Sequence, residues 1–152
     1  MAYDSRPDTH DHISIVRGYL TEIATLLLRR GNDHDLSKLE EPELGVFNEF
    51  TPKLADSTYG SDEYKGFLAG MQDEGLDHHY KVNDHHPEHF PNGIADMDLL
   101  QLTEMLCDWK AATLRHADGD LYKSIEMNQD RFGYGDETKQ LLMKTAFNMG
   151  WL

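Results

Sequence analysis

Cysteine is almost absent from this sequence. Cys107 is the only one among 152 residues, so no internal disulfide can form and no zinc site built from several thiolates is available. The chain also lacks an apolar run long enough to cross a membrane, and its first residues contain no apolar signal segment. These absences predict a protein of the reducing cytoplasm that has no membrane partner.

Positive charge is scarce as well. Lys and Arg total 14 against 28 Asp and Glu, which gives a formal net charge of -14. Such a field repels the phosphate backbone and argues against non-specific nucleic-acid binding. A small phosphorylated substrate remains compatible with it, because a bound divalent cation reverses the sign of the field locally.

Histidine, by contrast, is concentrated in one stretch. Five of the nine histidines lie within residues 77–90: His78, His79, His85, His86 and His89. Three carboxylates stand beside them: Asp77, Asp84 and Glu88. Imidazole is the commonest side-chain metal ligand, and mixed histidine and carboxylate sets suit borderline and hard cations. A solvated polar loop is the plainer alternative, but the composition favours a metal or phosphate site.

Apolar residues recur at three- and four-residue steps, which is the period of an amphipathic helix. The first such stripe is formed by Ile13, Val16, Leu20, Ile23 and Leu27. The clearest helix is predicted from Met97 to about His116. No sustained alternation of period two is present, so the sequence predicts an all-α fold of about six helices in one domain, residues 1–152.

Four residues outside the histidine stretch are candidates for the same site. His12 lies on the first apolar stripe, where a core or capping histidine is the alternative. His34 and Asp35 open a predicted second helix, where a cap and a dipole-compensating acid are the alternative. Asp108 lies in an apolar helical run, and because a buried unpaired carboxylate is costly, it needs either a salt bridge or a metal.

Taken in order, these residues resemble the signature of the HD-domain superfamily of metal-dependent phosphohydrolases. The segment His-Asp-Leu-Ser-Lys at 34–38 is similar to that family's His-Asp-x-x-Lys form. The segment His-His-Pro-Glu at 85–88 resembles the histidine-rich region of its two-metal members, and Asp108 corresponds to its closing Asp. The pattern runs from residue 12 to residue 108, and the chain also resembles a small, divergent, phage-associated branch of HD-like proteins.

The resemblance implies an HD-like helical bundle that holds a divalent transition metal, either Mn, Fe, Co, Zn or Ni. One ion would be bound by four residues: His12, His34, Asp35 and Asp108. A second ion would add His79 and His85, together with His86, and the choice between His78 and His79 stays open.

The resemblance also implies hydrolysis of a small phosphorylated substrate, with a nucleoside monophosphate as the first candidate. The expected catalytic residues are His86, Glu88 and Lys38. The expected substrate-binding residues are Lys38, Lys81, His89 and Arg115. One of His86, Glu88 or His89 would protonate the leaving oxygen.

Two other functions are compatible with the same residues. The charge of -14 suits a non-catalytic acidic helical interaction protein that imitates nucleic acid toward a basic partner. An HD-fold oxygenase with two irons would need a similar set of His and Asp ligands. The sequence leaves the oligomeric state open.

Overall fold

A single long helix forms the N-terminal part of the protein. A computed structural model describes residues 3–58, 60–115 and 119–152, which divide into two compact units, Met1–His34 and Asp35–Leu152. Helix α1 (Arg6–Asp33) makes up the first unit, and it carries the apolar stripe predicted from the sequence. None of its residues is buried, because a unit made of one helix offers no second element to cover the stripe.

The second unit contains six more α-helices. They are α2 (Glu43–Ala55), α3 (Asp62–Gly70), α4 (Asp77–Val82), α5 (Leu99–Thr113), α6 (Leu121–Phe132) and α7 (Asp136–Asn148). Four short segments connect them: 3₁₀ turns at Leu36–Leu39, Pro87–His89 and Gly93–Asp96, and a π turn at Gln72–Leu76. No strand occurs among the described residues, so the predicted all-α class is confirmed, with seven helices instead of about six.

The hydrophobic core of the second unit lies among α5, α6, α7 and the segment before α5. Its buried members are Ile94, Met97, Met105, Leu106, Trp109, Leu121, Ile125, Tyr134, Leu142 and Ala146. The hydroxyl of Tyr134 donates to the carbonyl oxygen of Ile125 over 2.6 Å, which satisfies both polar groups inside the core. Burial of this apolar surface fixes α5, the helix that carries Asp108.

Helix α5 begins at a position that its sequence specifies. Asp98 accepts hydrogen bonds from the backbone N–H groups of Leu100 and Gln101, and the Gln101 side chain accepts from the backbone N–H of Asp98. This reciprocal capping box fixes the start of the helix at Leu99. The helix ends at Thr113, and His116, the predicted end, lies outside the described residues.

The prediction of a second helix opening at His34 and Asp35 was wrong. Helix α1 runs on to Asp33, His34 follows it, and Leu36–Leu39 forms only a 3₁₀ turn. Asp35 has φ 59° and ψ 14°, a left-handed backbone that cannot belong to the first turn of an α-helix. The next helix, α2, starts one residue after Pro42.

None of the described helices combines the length and the apolar character that a membrane crossing requires.

Candidate metal centre

Asp35 is held in an unusual backbone conformation. It is the one non-glycine residue in the described part of the chain with a positive φ. Asp enters this region more readily than most residues, but the conformation still costs about 1–3 kcal/mol, and it persists only where the surroundings hold it. Strain of this kind clusters at functional sites, which makes the neighbours of Asp35 the first place to look for chemistry.

Three histidines meet the side chain of Asp35. Its Oδ1 lies 3.3 Å from Nε2 of His79 and 3.4 Å from Nε2 of His85. Nε2 of His79 in turn lies 2.9 Å from Nε2 of His86. One ligand atom from each of the four residues falls within 4.8 Å of all the others. Helix α4 supplies His79, and the irregular segment after it supplies His85 and His86.

Three of the separations between these atoms match those of ligands around one ion. Metal–nitrogen and metal–oxygen bonds of about 2.0–2.1 Å at tetrahedral or octahedral angles separate neighbouring ligands by about 2.8–3.4 Å. The separations of 2.9 Å between His79 and His86, 3.3 Å between His79 and Asp35, and 3.4 Å between His85 and Asp35 lie within or close to that range. Nitrogen and oxygen donors without sulfur suit a divalent transition metal, so the residues fit the predicted cofactor.

The protonation of His86 and of Asp35 also suits a cation. Burial, with His85 and His79 alongside, lowers the pKa of His86 to about 3, so its imidazole is neutral near pH 7. Burial alone would raise the pKa of Asp35, but contacts with His79 and His85 and the charge of Lys38 outweigh it and hold that pKa below its ordinary value. Neutral imidazoles and an ionised carboxylate are the forms that bind metals.

A buried glutamate stands behind His79. Glu43, the first residue of α2, is 0% exposed. Its Oε2 accepts from Nδ1 of His79 at 2.9 Å and from Oγ of Ser37 at 3.0 Å, while its Oε1 accepts from Nδ1 of His78 at 2.7 Å. The amide of Asn83 donates to Ser37 and to the carbonyl oxygen of His79, which extends the network.

Helix α5 brings two further acids to the same region. Glu104 Oε1 lies 3.2 Å from Nδ1 of His85. One turn later on the same face, Asp108 places a carboxylate oxygen within 4.8 Å of one on Asp35. The neighbouring face of α5 carries Met105 and Trp109, which are buried in the core. Packing of that face therefore aims the acidic face at Asp35 and His85.

A cleft of about 860 Å³ opens along the other face of α4. Its cations and titratable groups are Lys65, Lys81, Arg131, His89, Asp77 and Glu88, and its apolar lining includes Leu68, Leu76 and Phe132. Tyr80 lines the cleft and also contacts the histidine group, with its ring centroid 5.0 Å from that of His86. Burial, reinforced by the charge of Glu88, raises the pKa of Tyr80, so the phenol stays neutral.

The other predicted residues lie at different places. Lys38 donates to Oδ2 of Asp35 at 2.6 Å and lies over the ring of Phe47, beside the donor group. Arg115 is exposed in the turn after α5 and is not among the residues that line the cleft. His12 and His34 belong to the first unit, so their part in the site stays a prediction.

Sequence reasoning missed Glu43, Lys65 and Arg131. Glu43 is one of 28 acidic residues and follows Glu40, Glu41 and Pro42, so it reads as a solvated acid at a helix start. Lys65 and Arg131 read as ordinary surface charges on α3 and α6. Local pattern carries no signal for any of the three, because each owes its position to residues far away along the chain.

A family model matches residues 1–149. The chain belongs to that family, a family of unknown function (DUF5662). Neither the search of curated proteins nor the search of solved structures returned a match. This DUF5662 member therefore inherits no activity from a relative, and the resemblance to HD-domain proteins stays a prediction.

Proposed function

We propose that this DUF5662 protein is a metal-dependent phosphohydrolase that acts on a small phosphorylated substrate, with a nucleoside monophosphate as the first candidate. The observation that carries the proposal is the ligand-like spacing of Asp35, His79, His85 and His86. The cleft beside α4, which gathers cations in a chain of net charge -14, supports a phosphorylated ligand.

Four residues would hold the ion: Asp35, His79, His85 and His86. When bound, a divalent ion of this kind polarises a phosphoryl oxygen and lowers the pKa of a coordinated water toward neutrality. Asp108, close to Asp35, is the acid best placed to hold that water or a second ion. Lys38 neutralises the remaining oxygen of Asp35, which keeps that carboxylate in one orientation.

Cations of the cleft would hold the substrate. Lys81 and His89, predicted as substrate-binding residues, line it together with Lys65 and Arg131. Arg131 donates to Oε1 of Glu88 at 2.6 Å, so its guanidinium is already oriented. The apolar lining suits the base or another flat part of a nucleotide, and the cations suit its phosphate.

His89 is the residue best suited to protonate the leaving oxygen. Of the three candidates, His86 faces the other donors and Glu88 accepts from Arg131. Nδ1 of His89 lies 3.0 Å from the carbonyl oxygen of Tyr80 and so carries a proton, which leaves Nε2 for exchange with a ligand. An exposed imidazole beside the cleft is accessible to a ligand and can pass a proton to it.

The test has two steps. Protein purified without chelator is analysed for metal, then loaded with Mn or Co and screened against nucleoside monophosphates and other phosphate esters for phosphate release. We expect turnover that Asp35→Asn abolishes and that Asp130→Asn, a change at an exposed acid on α6, leaves intact. Absence of turnover with every metal and ester would overturn the proposal. Bound iron with oxygen-dependent turnover would favour the oxygenase, and metal-independent capture of a basic partner would favour the interaction protein.

A further inference from the structure

The two histidines nearest to Asp35 share one arrangement. His79 and His85 each direct Nε2 toward Oδ1 of Asp35 and Nδ1 toward a glutamate, Glu43 for His79 and Glu104 for His85. We propose that Glu43 is a positioning residue of the metal centre, which fixes the tautomer and the ring orientation of His79, and that Glu104 does the same for His85. This inference rests on the metal site but not on the phosphohydrolase reaction.

Metal binding and hydrogen bonding would select the same tautomer. Both nitrogens of His79 face a carboxylate, Nδ1 that of Glu43 at 2.9 Å and Nε2 that of Asp35 at 3.3 Å. An ion bound at Nε2 would leave the single proton of the neutral ring on Nδ1, which donates it to Glu43, because a carboxylate only accepts hydrogen bonds. The amide nitrogen of Asn83 also lies 2.9 Å from Nδ1, and its two protons go to Ser37 and to the carbonyl oxygen of His79. A carboxylate partner also makes the ring a stronger ligand, because it stabilises the positive charge that builds up on metal binding.

The surroundings of Glu43 make it a rigid support. At 0% exposure, its carboxylate would be costly without partners, and three donors surround it: His78, His79 and Ser37. Both oxygens are engaged from different directions, so the carboxylate cannot rotate without losing a contact. Because the Glu43 carboxylate is fixed, its hydrogen bond with His79 also fixes the orientation of the His79 ring.

His78 provides an internal contrast. Its Nδ1 contacts the same carboxylate at 2.7 Å, but its side chain is 38% exposed and it is not part of the donor group around Asp35. The two adjacent histidines on α4 thus touch Glu43 in similar ways, and only His79 offers its other nitrogen to the ion. Loss of the contact between His78 and Glu43 therefore shows how far that contact stabilises the hydrogen-bond network. Loss of the contact between His79 and Glu43 shows how far it supports metal binding by His79.

The experiment measures Co²⁺ binding to the purified full-length protein by chelator competition and by the visible absorption of the bound ion. Glu43→Met removes both acceptors at similar length, and Glu43→Gln keeps one acceptor and the shape of the side chain. We expect Co²⁺ affinity to fall about 100-fold in Glu43→Met and about 10-fold in Glu43→Gln and Glu104→Gln, with an altered Co²⁺ spectrum. His78→Gln and the exposed Glu40→Gln should stay within about twofold of the wild type, since neither contacts a ligand nitrogen.

A double-mutant cycle separates positioning from general stability. If Glu43 acts through His79, Glu43→Gln should weaken Co²⁺ binding no further in a protein that already carries His79→Gln. Additive losses in that cycle, or an unchanged affinity and spectrum in Glu43→Gln, would overturn the proposal. If the wild-type protein binds Co²⁺ but hydrolyses no phosphate ester, only the proposed phosphohydrolase activity is overturned. If it binds no Co²⁺, both that activity and the positioning role of Glu43 are overturned.

Discussion

Nε2 of His79 and Nε2 of His86 lie 2.9 Å apart, with the two ring centroids separated by 4.7 Å. If Nδ1 of His79 donates to Glu43 as proposed, its Nε2 carries a lone pair, which either accepts a hydrogen bond from His86 or binds a metal ion. The pKa of His86 is lowered to about 3, so its ring is neutral near pH 7 and can also offer a lone pair. The proposed divalent cation would bind both nitrogens together with Asp35.

Metal should therefore stabilise the folded protein. An ion at 100 times its Kd adds about 2.7 kcal/mol to the free energy of unfolding, which for a chain of this size raises Tm by about 5–10 °C. We expect EDTA to reverse that gain, and His86→Gln to reduce it, in scanning fluorimetry with and without Co²⁺. His10→Gln, at an exposed position of α1, is the matched control, and an equal gain in His86→Gln and wild type would contradict His86 as a ligand.

Asp35 allows charge and backbone strain to be separated. Asn enters the left-handed region about as readily as Asp, whereas Ala at φ 59° retains the strain, so Asp35→Ala should be about 1 kcal/mol less stable than Asp35→Asn. Both variants should lose Co²⁺ affinity by more than about 100-fold, since outer-shell losses alone cost about 10–100-fold. Urea unfolding of the metal-free proteins gives the first difference and chelator competition the second. Equal stability of the two variants would show that the backbone of Asp35 relaxes.

The histidine stretch could be found from the sequence because its signal is local. His79, His85 and His86 stand close together in the chain, and Asp35 follows another histidine, so composition alone marks them. Glu43 could not be found in this way, because its burial arises where the start of α2 meets α4, 35 and 36 residues later in the chain. Nor could the left-handed backbone of Asp35 be read from a segment that also suits a helix start.

The helical class of the fold was predictable because apolar residues recur with the period of an α-helix. Helical spacing of apolar residues identified the all-α class and the approximate extent of α5. The π turn at Gln72–Leu76, which separates α3 from α4, was not predicted. Such a turn leaves the apolar spacing nearly unchanged while it rotates the following residues, so pattern reasoning cannot detect it.

Lys65 and Lys81 should bind substrate without taking part in the chemistry. Both line the cleft beside α4, and both are exposed, so each contact with a phosphate contributes about 1 kcal/mol. We expect Lys65→Met and Lys81→Met each to raise KM about fivefold while kcat stays within twofold of the wild type. Added salt should reduce the difference in KM between each variant and the wild type, because it screens the charge of the lysine. Lys123→Met, at an exposed site on α6, controls for net charge. A fall in kcat at constant KM would instead place the changed lysine at the reacting group.

Tyr134 should make the protein sensitive to alkali. Burial raises the pKa of its phenol to about 12, and the hydroxyl donates to the carbonyl oxygen of Ile125. The unfolded chain releases that proton near pH 10, so between pH 10 and pH 12 the native state binds more protons and its stability falls as pH rises. The difference between the two pKa values lowers the free energy of unfolding by about 2–3 kcal/mol by pH 12, because the buried phenol cannot ionise as readily as the exposed one. Tyr134→Phe should be about 1 kcal/mol less stable than the wild type at pH 8, because it lacks the hydrogen bond to Ile125. Between pH 10 and pH 12 it should lose less stability than the wild type. Urea unfolding at each pH measures both differences. Tyr122→Phe, whose ring is 49% exposed, serves as control, and parallel curves for wild type and Tyr134→Phe would mean that the buried phenol is not the source of the alkaline loss.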